Sequence, residues 1–394
     1  MELENIKCFT VVGAGTMGRD IVQVALMSNN FKKVIMNDVN EVVLNDAEQF
    51  IHAGIKKVEK KGRLGKDINT EQLMSRLVKN TSLKESTEHA DFLIEAIPED
   101  MGLKQDLFKK AGEYAPNHAI FATNTSTMPI TEIASTSGCD DRIVGTHFFT
   151  PVVLMGLIEV IKGKNTSEKT LETSINVCES LPVIRGKRVI ARIEKESPGF
   201  IVNRLLVASS LYTHYIIDIA DEKGIPYEQI DADVPFMDIG PCAKMDYLGL
   251  GTNYNVHKYF EKAVSTDYAP GKVVTKLVKE GKLGKKTGEG LFKWENDRPI
   301  LDKSVKSGLY NMELLMAIML NEGCRLLEEG IVSGYKIIDD AMMSGAAMPG
   351  PFGAGCKSYE KWSGMLDEFV KDSGFTYFKP CELMRTGSFV NMKK

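Results

Sequence analysis

The stretch "CFTVVGAGTMGRDIVQVALMS", residues 8 to 28, constrains the fold more than any other. A β-branched apolar run passes through Gly13, Gly15 and Gly18 into a segment with helical periodicity. A second strand-like run, "KVIMND", follows that helix, so the chain must return by a crossover, and crossovers lay strands parallel. The alternation continues to about residue 190 through "ADFLIEAI", "AIFATN" and "RIVGTHFF". It predicts an α/β, doubly wound Rossmann-type domain, with a mostly parallel sheet and helices on both faces.

From "SPGFIVNRLLVASSLYTHYIIDIADEKG" onward the pattern becomes helical, which predicts an all-α region. The polar stretch "ENDRPILDKSVKSG", residues 295 to 308, divides it in two. The halves read as weak copies: E-K-G-I at 222–225, I-D at 230–231 and G-P at 240–241 recur as E-E-G-I at 328–331, I-D at 338–339 and G-P at 350–351. The expected domains are therefore 1–193, 194–296 and 310–394. A length of 394 residues accommodates them.

Charge and cysteine content exclude several classes. Lys plus Arg total 49 against 53 Asp plus Glu, a net charge of -4, so no global basic field invites nucleic acid or a membrane surface. An anionic ligand must be met locally. No apolar run has the length of a membrane span, and a cytoplasmic location is expected. The seven cysteines are scattered without a C-x-x-C pair, so neither a disulfide framework nor a metal site is expected.

The glycine spacing alone would arise by chance in roughly a quarter of chains this rich in glycine. Its setting between a strand and a helix makes it a phosphate cradle. Gly13 permits the tight turn, Gly15 the approach of a pyrophosphate to backbone, and Gly18 the close packing of helix on strand. Asp38, about twenty residues further on, is placed to bind the adenosine ribose, and a carboxylate there favours NAD over NADP.

Of the six histidines, His147 stands apart, at the end of "RIVGTHFF", where open α/β sheets bind ligands. Glu159 is a lone carboxylate inside the apolar "LIEVI", and the intervening "TPVVLMG" allows the chain to fold back. A buried carboxylate needs a partner. An oriented His-Glu pair suits proton removal from an alcohol as hydride leaves the carbon.

The motifs "VVGAGTMG", "EAIPED", "NTST", "THFFTPVVLMGLIEVI", "SPGFIVNRLL" and "LGKKTGEG" stand in an order that resembles the 3-hydroxyacyl-CoA dehydrogenases of fatty-acid β-oxidation, over residues 6 to about 294. The helical unit after residue 310 resembles the second helical copy of the multifunctional β-oxidation proteins. The resemblance implies NAD-dependent oxidation of (S)-3-hydroxyacyl-CoA to 3-ketoacyl-CoA. It implies His147 as general base, Glu159 as its partner, and Ser126 and Asn203 holding the substrate oxygen and the imidazole. It further implies that Glu99, Lys104 and Lys286 contact the nicotinamide half of NAD.

CoA is strongly anionic, and "KKVEKKGRLGK", residues 56 to 66, supplies local positive charge; Lys60 is the chosen contact, with Lys56–Lys60 and Lys57–Lys61 as helical neighbours. Two departures stand out. Thr150 occupies the place of a common asparagine in "HFFTP", which puts nicotinamide placement in question, and "TNTS" replaces the commoner S-N-T-S. Rival readings are the crystallin-like hydroxyacid dehydrogenases, which act without CoA, and an NAD-binding protein without activity. No hydratase-like segment is evident, so dehydrogenase activity alone is expected. The repeat suggests a self-sufficient monomer, with a homodimer as the alternative.

Overall fold

The computed structural model describes residues 2–28, 30–65, 68–234 and 239–394. Eight strands form the first unit's sheet: β1 (Cys8–Val12), β2 (Lys33–Asn37), β3 (Leu77–Asn80), β4 (Phe92–Glu95), β5 (Ile120–Thr123), β6 (Ile143–Phe148), β7 (Leu157–Ile161) and β8 (Val189–Ile193). Their order is β3-β2-β1-β4-β5-β6-β7-β8. Pairing is parallel from β3 to β6, β7 runs antiparallel to β6, and β8 parallel to β7. The chain leaves β1 towards β2 on one side and later fills β4 on the other, which opens a crevice at the carboxyl ends of these two strands.

The helices of this unit are α1 (Thr16–Ser28), α2 (Glu41–Lys60), α3 (Thr70–Met74), α4 (Leu83–Thr87), α5 (Met101–Tyr114), α6 (Ile130–Ala134) and α7 (Glu168–Glu179). Each of α1, α4, α6 and α7 packs on the sheet. Every residue of β1 is buried, as a central parallel strand covered on both faces requires. Local caps fix the helix starts: the Asn40 side chain accepts from Val42 N before α2, and Asp100 from Leu103 N before α5. Strands β3 and β8, both at sheet edges and only partly buried, lacked a strong enough apolar run to be named from sequence.

The second unit contains α8 (Val202–Lys223), α9 (Tyr227–Ala232), α10 (Pro241–Leu248), α11 (Leu250–Ala263), α12 (Lys272–Lys279) and α13 (Met312–Glu328). Most of α14 (Lys336–Ala346) belongs to the first unit, and α15 (Phe352–Ser373) and α16 (Glu382–Thr386) to the second. The first unit thus comprises Met1–Phe200, Gly330–Ser333 and Ile337–Gly350, and the second the remainder, so residues 310–394 contribute to both. Buried for most of its length, α8 packs against α13. Between them Arg204 Nε donates to Glu322 Oε1 at 2.5 Å, while its terminal nitrogens reach Glu329 at 2.6 Å. Among the described residues no helix is long and apolar enough to cross a membrane.

Candidate active site

The glycine loop is built as its residue types demand. A Cβ on Gly13, whose φ is +100°, would lie 2.5 Å from the Ala96 carbonyl oxygen, and one on Gly18 would lie 1.7 Å from that of Gly13. At Gly15 nothing stands within 4 Å, which leaves the loop open on the side where a phosphate would approach. Asp38 Oδ2 accepts from Ala14 N at 2.9 Å, and its Oδ1 accepts from Asn40 N at 3.0 Å. The carboxylate at the end of β2 is thereby fixed beside the loop at the start of α1. This donor-rich turn with an adjacent acceptor fits the pyrophosphate and ribose of a dinucleotide.

Past the end of β4 the chain turns into α5 and gathers a buried charge cluster. Glu95, the last residue of β4, is fully buried, and Lys104, in the first turn and a half of α5, is 1% exposed. Lys104 Nζ lies 2.6 Å from Glu95 Oε1 and 3.2 Å from Glu99 Oε2. Thr123 Oγ1 donates to Glu95 Oε2 at 2.6 Å, and Ile97 N to Oε1 at 2.8 Å. Glu99 Oε1 accepts from Thr125 Oγ1 at 2.5 Å and from Ser126 N at 3.1 Å. Burial opposes ionisation of Glu99, but the Lys104 ammonium and these hydrogen bonds outweigh it and hold the carboxyl below its ordinary range. For Glu95 burial prevails and pushes the carboxyl up.

His147 and Glu159 face one another across the antiparallel pair β6–β7, in direct register. Their side chains meet: His147 Nδ1 lies 2.6 Å from Glu159 Oε2. Both are buried, the histidine 6% exposed and the glutamate 0%. A carboxylate at Nδ1 makes that nitrogen the donor and leaves the Nε2 lone pair free to accept a proton. The imidazole packs edge-on to Phe149 at 4.5 Å and near Phe200 at 5.8 Å between ring centroids. Phe200 holds φ at +53°, a left-handed conformation unusual for a bulky residue, next to Gly199 in the same conformation.

Backbone links join the histidine strand to the charge cluster. Asn124, immediately after β5, accepts from Phe148 N through Oδ1 and donates its own N–H to the Glu95 carbonyl. Ser126 follows two residues later, half-buried, so Ser126, Glu99, Lys104, His147 and Glu159 lie along the carboxyl ends of β4 to β6 or on their immediate neighbours. Thr150 turns towards α1, where its hydroxyl donates to Asp20 Oδ2 at 3.3 Å and Val152 N reaches the same oxygen.

The remaining positions divide between the units. Lys60 is exposed at the last residue of α2, near exposed Lys56, Lys57, Lys61 and Arg63. The helix ends at Lys60 with Lys61 as its cap, so only Lys56–Lys60 is an intrahelical pair; Lys66 lies outside the described residues. Asn203 is in the first turn of α8, and Lys286 is exposed in a single 3-10 turn, both in the second unit. The "GKKTGEG" loop is organised around Asp246, a fully buried carboxylate that accepts from Leu291 N, Phe292 N and Trp294 Nε1. Sequence reasoning passed over Glu95, Thr123, Asn124 and Phe200. For Glu95 the signal was present, a lone carboxylate in an apolar strand, as at Glu159.

Comparison with known proteins assigns most of the chain, residues 9 to 294, to one family. A model of the 3-hydroxyacyl-CoA dehydrogenase NAD binding domain matches residues 9–193, and one of the same family's C-terminal domain matches 199–294. The mitochondrial hydroxyacyl-coenzyme A dehydrogenase of Homo sapiens is 36% identical over 299 residues, covering 74% of this chain and 92% of that protein. The probable 3-hydroxybutyryl-CoA dehydrogenase of Bacillus subtilis is 34% identical over 297 residues, covering 74% and 98%. The fold is also that of the 3-hydroxybutyryl-CoA dehydrogenase from Escherichia coli K12, with a TM-score of 0.83 over 98% of both chains at 24% identity. The chain, with its dinucleotide-type sheet and following helical region, belongs to the 3-hydroxyacyl-CoA dehydrogenase family.

Proposed function

We propose that the protein catalyses the NAD-dependent interconversion of (S)-3-hydroxyacyl-CoA and 3-ketoacyl-CoA, with His147 as general base and Glu159 as its partner. The carrying observation is the buried 2.6 Å contact between them at the carboxyl end of the sheet. In oxidation His147 Nε2 takes the proton of the 3-hydroxyl, while Glu159 keeps the proton on Nδ1 and faces the imidazolium that forms. In reduction the imidazolium returns that proton. NAD, when bound, supplies the acceptor for the hydride leaving C3. Gly13, Gly15, Gly18 and Asp38 hold its pyrophosphate and adenosine ribose, and Glu99, Lys104 and Lys286 its nicotinamide half. Ser126 and Asn203 orient the substrate oxygen and the imidazole, and Lys60 with its basic neighbours meets the CoA phosphates. Proton transfer of this kind contributes about a hundred- to ten-thousandfold in rate, and positioning the remainder.

The internal repeat supports a two-copy helical region, 194–296 and 310–394, and with it a self-sufficient monomer, a homodimer being the alternative. Asp231 accepts from Cys242 N and Ala243 N at the start of α10, and a Cβ on Gly240 would lie 2.4 Å from its carboxyl carbon. At the matching positions a Cβ on Gly350 would lie 2.0 Å from Asp339 Oδ1. The test is NADH oxidation with acetoacetyl-CoA and longer 3-ketoacyl-CoAs, alongside His147→Gln. The expected result is turnover that the variant loses by at least about a hundredfold. A wild-type protein that binds NADH yet leaves every thioester unreduced overturns the reading.

A further inference from the structure

Resting on the function proposed above, we infer that Glu95 is a positioning residue that clamps Lys104 against Glu99 and, with them, gives the nicotinamide end of the site a net negative charge that favours oxidised over reduced nucleotide. Three observations carry this. First, Glu95 is entirely buried, and each described contact to its carboxylate comes from a donor: Lys104 Nζ, Thr123 Oγ1 and Ile97 N. Thr123 Oγ1 itself accepts from Thr125 N at 3.3 Å, so its proton is committed to Glu95. Burial pushes this carboxyl up, and the Lys104 ammonium with the Thr123 and Ile97 donors opposes that rise and favours the carboxylate.

Second, one ammonium stands between two carboxylates, 2.6 Å from Glu95 and 3.2 Å from Glu99, which leaves the trio at -1. Lysine and glutamate are rarely buried this deeply unless paired, so the trio behaves as a unit. Third, the trio sits at the crevice. Glu95 closes β4, its neighbour Ala96 donates to Val12 O and stands against Gly13, and Asn124 links it to the strand of His147. A nicotinamide ring is positive when oxidised and neutral when reduced. A fixed negative charge beside it therefore stabilises one form only, because charges in a protein interior are weakly screened.

The test compares full-length wild type, Glu95→Gln, Lys104→Met, and the double variant Glu95→Gln with Lys104→Met. NADH affinity is read from its fluorescence and NAD affinity from calorimetry. The single variant takes the trio from -1 to neutral, and the preference for NAD over NADH falls about tenfold. That corresponds to a rise of about 30 mV in the midpoint potential of the bound couple. The double variant removes a buried pair together, which proteins tolerate better than removing one partner, and returns the charge to -1 through Glu99. Its preference stays near wild type. If Glu95→Gln fails to fold, Lys104→Met decides: it takes the trio from -1 to -2, so a rise in the preference for NAD over NADH supports the charge argument and an unchanged or reduced preference overturns it. An unchanged preference in a folded Glu95→Gln overturns the inference while leaving the dehydrogenase reading intact. A wild type that binds neither nucleotide overturns both.

Discussion

Replacing Glu159 by glutamine tests the proposed chemistry where the geometry is tightest. The substitution preserves shape inside β7, removes one negative charge 2.6 Å from His147 Nδ1, and touches neither nucleotide nor thioester in the proposed arrangement. What it removes is attraction between the carboxylate and an imidazolium that exists only once the alcohol proton has moved. Two unit charges about 4 Å apart at an effective dielectric near 20 attract by about 4 kcal/mol. Part of that is recovered by the amide dipole, so the barrier rises by about 2–4 kcal/mol, or roughly thirty- to a thousandfold in kcat. KM for 3-hydroxybutyryl-CoA and for NAD should change by no more than about threefold, because in oxidation an interaction made only on the way to the transition state leaves ground-state binding alone. The assay is steady-state NAD reduction with 3-hydroxybutyryl-CoA, with circular dichroism confirming the fold. A double variant with His147→Gln should be no slower than His147→Gln alone, since residues acting as one unit are not additive. A folded Glu159→Gln whose kcat stays within about threefold of wild type would refute the assignment.

Other consequences can be checked with simpler measurements. Gly15→Ala points a methyl group into open space, so the melting temperature should hold while NADH affinity falls at least about tenfold by fluorescence; unchanged affinity would place the phosphates elsewhere. Arg204→Met strands Glu322 in the interior of the second unit and should cost about 3–5 kcal/mol in denaturant unfolding, whereas a loss under about 1 kcal/mol would mean the pair contributes little. His257, deeply buried, is pushed down to about 4, and His214, whose ring is tilted against it with centroids 4.3 Å apart, is lowered as well, first by burial and then by His257. Both therefore bind protons more weakly folded than unfolded, so their stabilisation is complete above about pH 6.5 and is lost as the pH falls towards 4. His257 alone accounts for roughly 3 kcal/mol by that point, and His257→Asn should flatten the acid limb of a melting-temperature profile.

What the sequence revealed followed from burial and periodicity. The strand, glycine loop and helix at residues 8 to 28 fell within a residue of their positions, because a central strand covered on both faces must be continuously apolar. Glu159 was legible for the converse reason: a charge in such a run must have a partner. The edge strands β3 and β8 carried no such signal, since all four residues of β3 and three of the five in β8 are at least partly exposed and mixed polarity is tolerated there. Phe200 was invisible because its role rests on a backbone torsion, not on a pattern of polarity. Thr150, read as a departure that puts nicotinamide placement in question, makes its described bond to Asp20 of α1, a contact between residues 130 positions apart that spacing cannot show.

The two buried carboxylates oppose one another in the proposed reaction. Oxidation of the alcohol takes a positive charge away from the crevice beside Glu95 and Glu99 and places one on His147, opposite Glu159. Glu159 therefore draws the bound complex towards ketone, and the Glu95 trio draws it back towards alcohol. An enzyme that works in both directions needs these pulls to be comparable, because a single uncompensated buried charge would trap one side of the equilibrium. It follows that Glu95→Gln and Glu159→Gln should displace the internal equilibrium in opposite directions, the first towards ketoacyl thioester and the second towards hydroxyacyl thioester. Quenched single-turnover mixtures read that equilibrium directly, and displacement of both variants in the same direction would show that the two carboxylates do not act as counterweights.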